Sequence, residues 1–192
     1  MANFNDAETE ERLTCLRMKV YHPQNIQKQV FQSIPFLTKE KHKTDVAVMF
    51  GRDISACRYV LWDRRASRVQ FVLQVFRPFN ISELSFEVKN LSRRTNLFVD
   101  NVELSYLNKM ELPSKCMFRF ADFQFLVERD AGESLEDFET YFELMPTSLL
   151  QELYVEPSMH PIPEHGIERL SLNARLPFSR AETAEEVEES RP

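Results

Sequence analysis

Gly51, Arg52, Ser67, Lys89, Asn90 and Asn96 have the types and spacing to hold an anion. A phosphate is met best by a planar bidentate guanidinium, a second cation, and hydroxyl and amide donors, with little competing carboxylate. Gly51 in front of Arg52 permits a tight backbone turn at a strand end. Residues 51–95 hold nine Arg or Lys against four Asp or Glu, within a chain of net charge -6. The basic groups Gly51-Arg52, Arg64-Arg65-Ala66-Ser67-Arg68, Lys89-Asn90 and Arg93-Arg94-Thr95-Asn96 fall at the ends of apolar-rich runs. In a sheet protein, run ends are turns, and turns from several strands can converge at one edge of a domain. Arg64, Arg65, Arg93 and Arg94 read as solvated loop charges that steer an anion rather than touch it. Ser67 has no histidine near it in sequence to activate it, so a nucleophilic role is disfavoured. His22, His42, His160 and His165 lack acidic or cysteine partners at ligand spacing, and neither a metal nor a cofactor is expected.

The elements that must position these residues are short. Leu13 to Tyr21 alternates and stops at His22-Pro23. Further strands are expected at Val30 to Phe36, Val46 to Phe50, Tyr59 to Trp62, Gln70 to Phe76, Leu84 to Asn90, Leu97 to Val99, Val102 to Leu104, Cys116 to Phe120 and Phe123 to Val127. Gln70 to Phe76 and Leu84 to Val88 are clearest, being rich in β-branched and aromatic residues. Asp100-Asn101 and Ala121-Asp122 have the chemistry of tight hairpin turns. With no sustained helical period before about residue 133, the pattern predicts an all-β chain, an antiparallel β-sandwich. Glu133 to Leu153 fits either a docked helix or a last strand.

Composition sets the outer bounds. A chain of 192 residues, 43% hydrophobic and 11% aromatic, can bury one good-sized core. Residues 1–12 sum to -3, residues 13–154 to +1 and residues 155–192 to -4. The expected organisation is an acidic segment (1–12), a sandwich (13–154) and a tail (155–192) whose Pro157, Pro161, Pro163, Pro177 and acidic end read as disordered. A general nucleic-acid binder needs a broad basic face, which this charge distribution does not provide. Cys15, Cys57 and Cys116 are odd in number and widely spaced, which points to a reducing compartment. No run approaches a membrane span, and a cytoplasmic location is expected.

Gly51-Arg52, Ser67-Arg68, Asn90 and Thr95-Asn96 together resemble the forkhead-associated (FHA) phosphothreonine-binding domain. The resemblance implies that Arg52 and Ser67 hold the phosphate, that Asn90 holds the bound peptide backbone, and that Lys89 is a second cation. Gln70 stands where the domain usually has a histidine bracing the loop, so altered loop support is implied, and Asn96 lacks the glycine that often follows it. A wider set is similar to the family of TRAF-interacting proteins with an FHA domain. It comprises Thr9 in its acidic setting, Thr14-Cys15-Leu16, Tyr21-His22-Pro23, Ser67-Arg68-Val69-Gln70-Phe71, Thr95-Asn96-Leu97, Tyr106-Leu107-Asn108-Lys109-Met110 and Gly132-Glu133-Ser134-Leu135-Glu136. That family implies a non-enzymatic adaptor of innate immunity, a homodimer whose Thr9 is phosphorylated by an upstream alpha-kinase responding to bacterial heptose sugars. Phosphorylated Thr9 would bind the FHA domain of another copy, driving oligomerisation and recruitment of TRAF ubiquitin ligases toward NF-κB. Thr183, Glu185, Glu186 and Glu188 resemble a TRAF-recognition pattern, with Thr183 at the usual proline position. The alternatives are a phosphothreonine module that reads a different protein and a phosphoester-processing enzyme, the latter without an evident carboxylate-plus-metal set.

Overall fold

Alternating burial builds two stacked sheets. The computed structural model describes residues 11–77 and 83–150; Thr9 and the segment carrying Thr183, Glu185, Glu186 and Glu188 lie outside them. The strands are β1 (Thr14–Tyr21), β2 (Lys39–Lys43), β3 (Val48–Gly51), β4 (Tyr59–Val60), β5 (Phe71–Phe76), β6 (Ser85–Asn90), β7 (Leu97–Val99), β8 (Val102–Leu104), β9 (Lys109–Glu111), β10 (Lys115–Phe120), β11 (Phe123–Asp130) and β12 (Asp137–Leu144), with one short helix, α1 (Asn25–Lys28). One sheet has the order β2-β12-β1-β11-β10-β7-β8 and the other β4-β3-β5-β6-β9.

Between the sheets lies an aromatic core. Phe50 and Phe71 stack at 4.5 Å between ring centroids. Phe118 and Phe125 of the facing sheet meet Phe71 edge-on at 5.6 and 5.9 Å. Such edge-to-face pairs add to the burial of large rings. A polar clamp joins the sheets at one edge: His42 Nε2 lies 3.1 Å from the Tyr59 hydroxyl and 2.9 Å from Thr140 Oγ1, and the Tyr59 hydroxyl donates to Glu40 at 2.6 Å.

The β-sandwich expectation holds, with mixed rather than purely antiparallel sheets. β1 pairs with β12 in parallel, and β3 with β4 likewise. The first exception has a local cause. After β11 the chain crosses the start of β1 to reach its far side, and Gly132 makes the crossing possible: a Cβ there would lie 2.3 Å from the Leu13 carbonyl carbon and from the Thr14 nitrogen. Glu133 N and Ser134 N then donate to the Arg12 carbonyl at 2.7 and 3.2 Å, and Gly132 N donates to Thr14 Oγ1 at 3.0 Å.

Other expectations need correction. Val30 to Phe36 is no strand; Val30, Phe31 and Ile34 are buried in a run of turns that follows the left-handed Gln29 (φ 50°). β2, Lys-Glu-Lys-His-Lys, carried no apolar signal because it is an edge strand whose lysines face outward against Glu139 and Asp137. The ambiguous segment after residue 133 supplies β12, with Phe138, Thr140 and Phe142 buried. The hairpin turns stand as read, Asp100 and Ala121 taking φ of 51° and 45° between β7 and β8 and between β10 and β11.

His22 and His42 have their pKa values lowered from the usual 6.5, first by burial and then by Arg65 and Arg58 respectively. Unfolding restores ordinary imidazoles, so below pH of about 6.5 the unfolded chain binds more protons and stability falls as pH falls. Each histidine contributes a slope of at most about 1.4 kcal/mol per pH unit. Urea unfolding at pH 7 and pH 5 should show lower stability at pH 5, and His22→Gln should flatten the difference.

Candidate functional site

The loops at one end of the sandwich are joined by hydrogen bonds that the spacing of the motif residues sets up. Beyond β3 and before β5 the backbones continue side by side: Gln70 N donates to Phe50 O at 2.7 Å, Arg52 N to Ser67 O at 3.0 Å and Asp53 N to Arg68 O at 3.1 Å. Gly51 is needed at the tightest point, since a Cβ there would sit 2.2 Å from the Arg68 carbonyl oxygen. Arg52 and Ser67, fifteen residues apart in sequence, are therefore neighbours.

Ser67 is also tied to the loop between β6 and β7. Its Oγ lies 2.7 Å from Ser92 Oγ. Ser92 Oγ already accepts the amides of Arg94 and Thr95 at 3.2 and 3.0 Å. With both lone pairs engaged, Ser92 is the donor to Ser67. The hydroxyl hydrogen of Ser67 is left to point at an incoming oxygen. Gln70, buried, takes the bracing role: its Oε1 accepts the Ser67 amide at 3.0 Å and its Nε2 reaches the Thr95 carbonyl at 3.5 Å.

Asn90 is placed differently from the expected peptide contact. It is 0% exposed, its Nδ2 donates to the carbonyls of Thr95 and Leu104 at 3.2 and 2.8 Å, and its Oδ1 accepts the Ser92 amide at 3.0 Å. Its carboxamide shapes the loop from within, with both Nδ2 hydrogens and one lone pair of Oδ1 engaged inside the protein. Asn96 is exposed and donates to Glu103 across β7 and β8. Lys89 projects from the outer face of β6 in register with Lys109 of β9, whose own charge is paired with Glu87 at 2.8 Å. No hydrogen bond links Lys89 or Asn96 to Arg52 or Ser67.

The steering arginines divide. Arg65 is structural: it binds Asp63 at 3.1 Å, reaches Asp122 of the β10–β11 turn, and lies 2.9 Å from the buried His22. Burial raises the Asp63 carboxyl, but the bonds from Arg65 outweigh it and hold the pKa below the usual 3.8. Arg93 lies over the Tyr106 ring at 4.7 Å. Arg52, Arg64, Lys89 and Arg94 make no ion pair with the described residues, whereas Arg17, Lys39, Lys41, Lys43, Arg58, Arg65, Lys109 and Lys115 all do. A hollow of about 260 Å³ opens between Arg52, Trp62, Asp63 and Arg64. Ser92 was not foreseen, although Asn90-x-Ser92 and Ser92-x-x-Thr95 are spacings at which short polar side chains bond nearby backbone. Among the described residues there is no group of three or more His, Cys, Asp or Glu that could hold a metal ion.

An all-β sandwich with a glycine-arginine strand end, a facing serine and a braced third loop defines a forkhead-associated domain, and the FHA domain model matches residues 48–121. The chain belongs to the family of TRAF-interacting proteins with an FHA domain. It is 55% identical over 166 residues to the human TRAF-interacting protein with FHA domain-containing protein A, covering 86% of this chain and 89% of that one. It is 53% identical over 167 residues to the protein of that name from Rattus norvegicus, covering 87% and 90%. Among solved structures, the FHA domain of CT664 from Chlamydia trachomatis aligns with 61% of this chain and 96% of its own, with a TM-score of 0.41 and 14% identity.

If Asn90 shapes the loop, its removal acts on stability first. Asn90→Ala strands the buried Leu104 carbonyl and Ser92 amide, each worth about 1–3 kcal/mol when unsatisfied, and leaves the Thr95 carbonyl with Gln70 alone. Denaturant unfolding should show a loss of about 3 kcal/mol or more; unchanged stability would return Asn90 to a ligand-contacting role.

Proposed function

We propose that this chain is a non-enzymatic signalling adaptor whose FHA loops bind phosphorylated Thr9 of another copy. Assembly of copies then gathers TRAF ubiquitin ligases on the C-terminal motif Thr183, Glu185, Glu186 and Glu188, with output toward NF-κB in innate immunity. The observation that carries the reading is the pair of donors at one end of the sandwich: Arg52, which has no acid partner among the described residues, and Ser67, whose hydroxyl hydrogen is left free by the two amides that Ser92 accepts. An empty fork beside a free hydroxyl is what a phosphate monoester requires. The names of the relatives supply the TRAF partner. An upstream alpha-kinase as the source of the phosphate, a homodimer as the resting state and a cytoplasmic setting complete the reading.

The direction of β1 favours binding between molecules. Its end, Tyr21-His22, lies beside Arg65 under the site loops, so its start at Thr14 lies at the opposite end of the sandwich. Eight residues of strand span roughly 26 Å, whereas the three residues from Thr9 to the anchored Arg12 reach about 10 Å. Phosphorylated Thr9 therefore falls short of its own site.

A peptide of residues 1–16 phosphorylated on Thr9 is expected to bind the intact chain. Arg52→Ala should reduce that affinity by at least about tenfold, the worth of a charge-assisted contact of roughly 1.5–3 kcal/mol, with the melting temperature unchanged. Arg52→Lys should bind poorly as well, because a point charge cannot reproduce the fork. Equal affinity of wild type and Arg52→Ala in calorimetry would refute the site. Light scattering should show growth beyond the resting particle on Thr9 phosphorylation, blocked by Thr9→Ala. Glu185→Ala should abolish capture of TRAF proteins while leaving that growth intact.

A further inference from the structure

We propose that the end of the sandwich from which the N-terminal segment leaves is a docking surface for the cationic loop end of a second copy of this chain. The proposal rests on the phosphothreonine reading above and adds to it a contact between the folded bodies.

The first support is how the segment is held. The Arg12 carbonyl accepts the amides of Glu133 and Ser134, Thr14 Oγ1 accepts that of Gly132, and the Gly132 backbone lies too close to Leu13 and Thr14 to admit a side chain. The tether is thus fixed up to Arg12, and Thr9 stands only three residues beyond it. A phosphate seated on Arg52 of another copy brings that copy's loops within about 10 Å of this end, roughly one Debye length at 0.1 M salt. At that separation, charges on the two bodies are only partly screened from one another.

The second support is the sign of those charges. The exit end exposes Glu11, Asp45, Asp130, Glu133 and Glu136. Asp45, Glu133 and Glu136 have no ion-pair partner among the described residues, Asp130 pairs with Arg17 at 3.7 Å and Lys43 with Asp137 at 2.9 Å, and the exposed Arg12 and Arg77 offset part of the acidic excess without removing it. The loop end carries Arg52, Arg64, Arg65, Arg68 and Arg94 against Asp53, Asp63 and Asp122, of which Asp63 and Asp122 share the one guanidinium of Arg65, so cations are in excess. The two ends of one molecule are therefore complementary to each other, and the strand direction keeps them from meeting within a single molecule. A second copy in head-to-tail orientation satisfies both.

The test uses full-length chains restricted to one kind of contact, a donor phosphorylated on Thr9 and carrying Arg52→Ala and an acceptor carrying Thr9→Ala, with the charge-neutralised donor below as the control of equal valency. Calorimetry compares this donor with the free 1–16 phosphopeptide. At low salt the donor should bind the acceptor about tenfold tighter than the peptide, with the gap closing at high salt. Adding Asp45→Asn, Glu133→Gln and Glu136→Gln to the donor should bring it to the peptide's affinity without lowering its melting temperature, because the Glu133 clamp uses backbone only. The charge-preserving set Asp45→Glu, Glu133→Asp and Glu136→Asp should keep the advantage. A donor that binds no tighter than the peptide, or a neutralised donor that binds as well as the original, overturns the proposal. A peptide that does not bind at all overturns the phosphothreonine reading itself, a separate result.

Discussion

One buried carboxamide sets the geometry of the loop end. Asn90 closes β6 inside the core and fixes Thr95, Leu104 and the Ser92 amide at once. Ser92 can orient its hydroxyl toward Ser67 only because that loop is already bent, and Ser67 can offer its hydrogen outward only because Ser92 donates to it. A buried polar group that satisfies all its partners rigidifies its surroundings, and one left partly satisfied is costly. The loop end of this sandwich is thus an extension of its interior, held in shape by its own hydrogen bonds.

Much of this was legible in the sequence, and what was missed has physical reasons. β5 and β6 declare themselves because Phe71, Leu73, Phe86 and Val88 alternate into the aromatic core. Gly51-Arg52 and Ser67-Arg68 mark their own proximity, since glycine at a strand end signals a close backbone approach. β2 was invisible because an edge strand bounded by solvent needs no apolar face. Val30 to Phe36 misled because apolar residues can fill a core from turns as well as from a strand. The bonds of Asn90 and Arg65 within the protein were not legible for a shared reason: residue type reveals what a side chain can bond, while burial and neighbours decide what it does bond. Asn90 turned inward to carbonyls and Arg65 turned sideways to Asp63, and neither partner is fixed by spacing alone.

The edges of the two sheets carry a consequence of their own. The outermost strands are β2, β8, β4 and β9; β4 has two residues, β8 and β9 have three each, and the five-residue β2 presents three lysines. Short or lysine-lined edges are poor templates for another strand. For the phosphate-driven assembly proposed above, an exposed sheet edge would be the easiest leak into assembly without a signal. With the described edges blunted, edge-to-edge strand pairing is a poor route to a fibre. Under that proposal the threshold for assembly passes from protein concentration to the balance of kinase and phosphatase, and a structure grown on phosphate would be dissolved by its removal.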